Sequence, residues 1–467
     1  MRVALAAERA GVPAVVNTCE SFVVQAHSIA GLGGEPWLPV VFYPGHIDTY
    51  DLETRETYIS ELVAPGTEEA LTTQIAGAAA AAEAPETAPI MIKGTWDDVL
   101  TYYREKMWSD GLPIIPPTIE KVEEFLKYTD YPADAELTRT LPPSGRIATP
   151  WSVAVNGVMA GCRPEYMPIL IAMAKCGADP KFTIQDQGST PGWEALIILN
   201  GPIIKQLNFN YRAGVMKVGY QANTSVGRFW KLFMRNIPEI RVETESEKGT
   251  IGKNWDVVVA ENEDACRAIG WETFGVQQGF MPDDNVVTMQ STLGTSMPAY
   301  THGSTAKEHI EQLTNEFTHD QGWLWWKYGS RTQQWWTMVL MTPVIGRIMA
   351  EGGYSKKEDV TTYFYEHCKL PAGGGDEDYC RSGGQPCDWP QQCEEDPTKK
   401  EDYCASEDPN RLIPVFVKGQ TGLVLTGDPE RNQCRISWQN HSQGRRASMK
   451  IELPKNWDAL LAEAAKK

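Results

Sequence analysis

The densest apolar pattern in the chain runs from Trp151 to Pro202. Two apolar runs at helical spacing flank the turn Gly161-Cys162-Arg163-Pro164-Glu165-Tyr166. A polar loop over 185–194 then leads into a buried strand over 195–199 that stops at Asn200-Gly201-Pro202. Cysteine, arginine, glutamate and asparagine collect at these element ends, where a rigid scaffold can present them to a ligand.

Upstream, residues 1–12 read as a short helix closed by Gly11, and residues 13–17 and 37–43 read as buried strands. That alternation is the order of a parallel α/β sheet. Because such a domain normally opens on a strand, the expectation is a truncated doubly wound domain. The alanine-rich stretch 67–89 closes it, its first part a candidate helix and its proline-containing end a linker. Helices are expected over 95–106 and 119–128, with the proline-rich segment 108–118 extended between them. A helix over 221–235 would take Asn223 or Thr224 as its N-cap. Strands follow over 255–260 and 285–289, and helices over 307–317 and 356–365. Strands over 412–417 and 423–426 and a helix over 453–465 close the chain. The fold class is α/β. Its expected parts are a truncated domain with linker (1–89), a main α/β domain (90–367), a Cys-rich acidic insert (368–408), and strands and a helix completing the main domain (409–467).

With 467 residues and a formal charge of -18, the chain has the length for two or three domains and lacks the basic surface that nucleic-acid phosphates require. No apolar run reaches the roughly 18 residues of a membrane span, and Glu8 and Arg9 interrupt the N-terminal run as no signal peptide would. A cytoplasmic setting is expected, in which the ten cysteines serve as thiols or metal ligands rather than disulfides.

Cys162 is the first candidate. If Pro164 opens the second helix, the thiol stands just outside a helix N-terminus, beside Arg163 and Glu165. There the partial positive charge favours a thiolate. Pro168 is the rival start and would move the thiol away from the helix end. A small buried core residue is the competing reading. Asn200, at a strand end, could orient a substrate or simply cap a turn. Glu261, Glu263 and Asp264 could bind a cation or act as a general base, or could be a solvated helix start. Arg146, Arg163 and Arg228 are candidates to hold an anionic group, with Glu194, Asn200 and Asn223 orienting the substrate. Cys380, Cys387, Cys393 and Cys404 lack a CxxC pair but could hold zinc or an iron–sulfur centre, or form disulfides.

Several segments together resemble the UGSC family, named for a selenocysteine-Gly-Ser-Cys motif. The matching pieces are GVPAVVNT with Glu20 and Phe22; Asp110-Gly111-Leu112-Pro113 with Pro116-Pro117-Thr118; LPPSGR at 141–146; VNGVMAGCRPEYMP at 155–168; GSTPGWE at 188–194; NGPII at 200–204; QANTSVGR at 221–228; and AENED at 260–264. The resemblance covers roughly residues 1–365 and omits the motif that names the family, which would lie just before residue 1. It implies thiol- or selenol-dependent redox or nucleophilic chemistry on a small molecule. It also implies a homo- or hetero-oligomer, with a separate subunit or an upstream segment supplying the missing half-domain. Two further expectations stand beside it: a non-catalytic subunit that completes a partner's domain, and a metal-dependent hydrolase or lyase.

Overall fold

The computed structural model describes the chain outside residues 74–90, 185–191, 245–256, 325–335, 372–411 and 440–445, scattered positions before residue 37, and Lys467. Half of the expected helix over 1–12 lies outside the described residues; Ala4, Ala7 and Glu8 are helical. Of the expected linker, residues 67–72 belong to the helix Ala64–Thr72 and 74–89 lie outside the described residues, as do the four insert cysteines Cys380, Cys387, Cys393 and Cys404.

The class is α/β. Near the N-terminus, β1 (Val16–Cys19) and β2 (Val40–Tyr43) form a two-stranded parallel sheet with Val16 opposite Val40. The helices Leu52–Tyr58 and Ala64–Thr72 follow, and neither contains a buried residue.

A seven-stranded mixed sheet organises the rest. It contains β3 (Glu194–Asn200), β4 (Val258–Ala260), β5 (Val286–Thr295) and β6 (Met338–Met341). A separate hairpin, β7 (Lys369–Pro371) with β8 (Leu412–Pro414), intervenes. The sheet is completed by β9 (Gly422–Leu425), β10 (Cys434–Gln439) and β11 (Ala447–Lys450). The order β4-β3-β5-β10-β6-β9 is palindromic in its pairings. The outer pairs β4–β3 and β6–β9 are parallel and the three inner pairings are antiparallel. β11 extends the pairing along β5.

The two edge strands meet at their C-terminal ends. Asn262 N–H donates to the Leu425 carbonyl at 2.7 Å, and the Thr426 hydroxyl donates to the Ala260 carbonyl at 2.8 Å. The sheet therefore curls round an inner face that carries Leu196, Ile198, Val259, Met338, Leu340 and Val424, with Phe274 and Val215 packed onto it. Side chains of opposite parity point outward under helices. Ala195, Ile197, Leu199, Val287 and Met289 meet the helices Pro150–Ala160, Met167–Ala178 and Gln221–Asn236. Val339, Met341, Leu423, Leu425 and Ile436 meet Ala306–Leu324, Pro343–Glu351 and Lys357–His367. Each fully buried large apolar side chain among these is worth about 1.5–3 kcal/mol.

Both helices of the central stretch form where the apolar runs place them. Pro150–Ala160 starts on a Thr149–Ser152 capping box and stops at Gly161, whose φ of 80° closes the helix. Pro164, however, opens only a one-turn 3-10 helix to Tyr166, and the α-helix proper begins at Met167. The helix Gln221–Asn236 is capped at Tyr220, so Asn223 sits inside it rather than at its start.

Candidate functional site

The parallel strands β3 and β4 end side by side, and their last residues turn three polar groups toward one another. Asn200 Nδ2 donates to Glu261 Oε2 at 2.7 Å and to Glu263 Oε1 at 3.1 Å. Glu261 faces the inner surface and is fully buried. Its Oε1 accepts from Lys357 Nζ at 2.6 Å and from Leu425 N–H at 3.3 Å, and its Oε2 also accepts from Phe274 N–H at 2.6 Å. The Lys357 side chain is 1% exposed. Burial depresses this ammonium, but the Glu261 carboxylate outweighs it and leaves Lys357 above its ordinary value.

Glu263 begins the short helix Glu263–Ala268, N-capped by Asn262. Its Oε1 also accepts from Gly201 N–H at 2.8 Å, and its Oε2 meets the Arg267 guanidinium at 3.0 Å. Gly201 adopts φ 102°, and a Cβ there would fall 2.6 Å from Asn285 Cα and from the Asp284 carbonyl oxygen. The turn that aims this N–H therefore requires glycine. Burial, reinforced by the charge of Glu261, holds the Glu263 carboxyl above its usual range against the bonds from Gly201 and Asn200. Glu261 and Glu263 line a cavity of about 380 Å³ whose mouth carries Lys205, Tyr211, Asp264 and Arg267. Lys205 pairs with Asp264 at 2.6 Å. A buried carboxyl of raised affinity for its proton, facing a cavity beside a fixed ion pair, can give and take that proton.

Cys162 lies elsewhere, and its expected position is corrected. Its N–H donates to the Gly157 carbonyl at 3.0 Å, so it belongs to the end of the preceding helix rather than to the start of the next. Burial pushes its thiol up to about 12, which the Ser225 hydrogen bond and the Arg228 charge only partly oppose. Arg163 pairs with buried Glu165 and packs over Tyr166. Arg228 holds Asp110 with two bonds of 2.8 Å and a third reaches the Pro113 carbonyl.

The expected substrate-binding residues are dispersed. Glu194 pairs with Lys231 at 2.5 Å at the opposite end of β3 from Asn200, about 20 Å away at strand rise. Arg146 meets Glu239 at 3.0 Å. Asn223 is buried and ties the Asn210 backbone to the Val258 carbonyl. Asn200 is the member of that set which belongs to the cavity's polar network, together with the acidic run. Lys357 carries no signal in the sequence, being an ordinary-looking lysine in a polar helix.

Among the described residues, no group of three or more His, Cys, Asp or Glu side chains is placed to hold a metal ion. Also among them, Cys19, Cys162, Cys176, Cys266, Cys368 and Cys434 are free thiols. No described helix is long and apolar enough to cross a membrane. No protein-family model matches the chain, and no curated protein matches it.

Proposed function

We propose that the chain is a small-molecule enzyme of the hydrolase or lyase type that moves a proton with Glu263 in the strand-end cavity. One observation carries the reading: Glu263 is buried, raised above the usual carboxyl range and open to the cavity, while its neighbour Glu261 is committed to Lys357. Asn200 fixes both carboxylates through one nitrogen, and the Gly201 N–H holds the reactive one in place. Lys205 and Arg267 at the mouth are each paired with a carboxylate of the lining, which suits a neutral, polar substrate better than an anion. The thiol- or selenol-dependent chemistry implied by the UGSC resemblance needs a thiolate, and a buried thiol near 12 weighs against Cys162 in that role.

The test is turnover of a panel of small neutral and acidic esters, amides and hydroxy acids by the wild type and by Glu263→Gln. Loss of a positioned general acid–base should cost about 100-fold or more. A carboxyl titrating above the ordinary glutamate range by carbon NMR should vanish in the same variant. Equal turnover of every substrate by both proteins would overturn the reading.

A second reading, a subunit that docks a partner, is favoured by the N-terminal unit. Phe42, Leu52, Ile59, Leu62 and Leu71 are exposed there, and an apolar groove of about 540 Å³ runs beside Ile59, Val63 and Leu71. Light scattering that gives a monomer at micromolar concentration, with no copurifying chain from the natural host, would remove it.

A further inference from the structure

The two carboxyl oxygens of Glu263 are not equivalent. Oε1 accepts from Gly201 N–H at 2.8 Å and from Asn200 Nδ2 at 3.1 Å. Those two donors fill both of its lone pairs. Neither donor is free to leave. The Gly201 N–H is aimed by a left-handed turn, and the Asn200 nitrogen also holds Glu261 at 2.7 Å. Oε2 meets one described residue, through a terminal nitrogen of Arg267 at 3.0 Å. A proton taken up by Glu263 therefore goes to Oε2. The resulting O–H is a donor and a guanidinium carries donors only, so the proton and Arg267 compete for one atom.

Arg267 has a second partner to fall back on. Its other terminal nitrogen already meets Asp264 Oδ1 at 3.4 Å, and its side chain is half exposed. It can leave Glu263 without stranding its charge. The other charged groups around the carboxyl are committed or solvated. Glu261 is held by Lys357, and the Cys266 thiol lies 3.6 Å from its Oε1. Lys205 sits on Asp264 at 2.6 Å. Asp283, on the far lining of the cavity beside Tyr211, is exposed. The helix Pro343–Glu351, packed against Glu263–Ala268, carries Arg347 and Glu351 exposed to solvent.

We propose that Arg267 is a positioning residue that latches Glu263 in its ionised form and shifts onto Asp264 as Oε2 takes its proton. The inference deepens the reading of Glu263 as the proton carrier and rests on it. When a substrate O–H, N–H or C–H bond gives its proton to Oε2, the bonding pair stays on the substrate, the Oε2–H bond forms, and Arg267 keeps Asp264 as its partner. Return of the proton to the product frees Oε2, and Arg267 closes on it again. A half-exposed ion pair holds weakly, so the latch opens at each proton transfer without a large barrier of its own.

The test is a joint titration of the full chain, without substrate, from about pH 4 to pH 8. Glutamate carboxyl carbons and arginine side-chain nitrogens are followed by NMR, with Glu263→Gln and Arg267→Met assigning the two signals. In the wild type the Arg267 nitrogens should shift with the same midpoint as the Glu263 carboxyl. Arg267→Met should tighten the hold of Glu263 on its proton about threefold. The carboxyl midpoint and the Glu263-dependent limb of the pH–rate profile should then move to higher pH together. Arg267→Lys, which keeps the charge but loses the fork, should return part of that shift. A merely structural surface pair would alter the melting temperature slightly and leave both midpoints in place. Arg267 signals that ignore the Glu263 midpoint, or an unchanged midpoint in Arg267→Met, would overturn the proposal. The two readings fail separately: intact turnover in Glu263→Gln removes the proton carrier, whereas the substrate-free titration decides the latch.

Discussion

Replacing Lys357 by methionine removes one partner of a fully enclosed ion pair and keeps the side chain's length. The two side chains are 1% and 0% exposed and 2.6 Å apart, so no water replaces the lost ammonium. Stranding one charge of such a pair costs about 3–5 kcal/mol. The stranded Glu261 keeps the Asn200 amide and the N–H groups of Phe274 and Leu425, which puts the cost near the lower end, about 3 kcal/mol. With a urea slope of about 3 kcal/mol per molar, the unfolding midpoint should fall by about 1 M. Glu261→Gln should cost more, since Glu261 is the sole ion-pair partner of Lys357 among the described residues. The double variant strands nothing and should be less destabilised than the sum of the single variants by about 2 kcal/mol. The pH dependence has a defined sign. The folded-state value of Lys357 is raised, so its contribution is complete below the ordinary lysine value of 10.5 and is lost only as pH climbs through the raised one. The gap between wild type and Lys357→Met should stay constant from neutral pH upward and close only in strong alkali. Urea unfolding followed by tryptophan fluorescence and circular dichroism measures all of this. A midpoint within about 0.3 M of the wild type, or strict additivity in the double variant, would refute the reasoning.

Other outcomes follow from the same geometry. Gly201→Ala should destabilise by about 1–3 kcal/mol through its left-handed backbone and its collision with Asn285, and should weaken the hold on Glu263. A thermal melt and the Glu263 titration check it together. Cys162 should resist iodoacetamide at pH 8 in the native protein, and stoichiometric labelling within minutes would contradict its burial. Asp110 is drawn below the ordinary carboxyl value, the Arg228 bonds outweighing burial, so its contribution is present above pH 3.8 and fades as pH falls through the depressed value. Asp110→Asn should lose about 1–2 kcal/mol at pH 7 and converge on the wild type in acid, as acid unfolding curves would show.

How much was legible depended on whether a residue's partners were local. The helices Trp96–Glu105, Pro150–Ala160, Met167–Ala178 and Gln221–Asn236 write their periodicity and caps into a few turns of chain. The strand ending at Asn200-Gly201-Pro202 is equally plain. β10 escaped notice although its apolar residues Cys434 and Ile436 alternate with polar Arg435 and Ser437, the pattern of a strand with one apolar face. Cys162 was misplaced because Pro164 starts only a 3-10 turn, while the rival proline, Pro168, stands in the first turn of the α-helix. Lys357 was unreadable because its partner lies 96 residues away.

The position of the candidate site follows from an accounting of backbone groups where the curled sheet meets itself. Where β3 and β9 end and the short helix Phe274–Gln277 begins, the N–H groups of Gly201, Leu425 and Phe274 find no strand partner among the described residues, and buried donors must be satisfied. Glu261 and Glu263 satisfy all three. That solution brings two carboxylates into one enclosed space, where like charges raise the cost of ionisation. Lys357 neutralises Glu261 from inside the protein. Glu263 is left with Arg267, whose side chain is 51% exposed and shared with Asp264, so its counter-ion is largely screened by solvent. The backbone thus demands both carboxylates, and the interior stabilises the charge of only one. That asymmetry supports the proposal that Glu263 is the proton carrier and Glu261 the structural partner of Lys357.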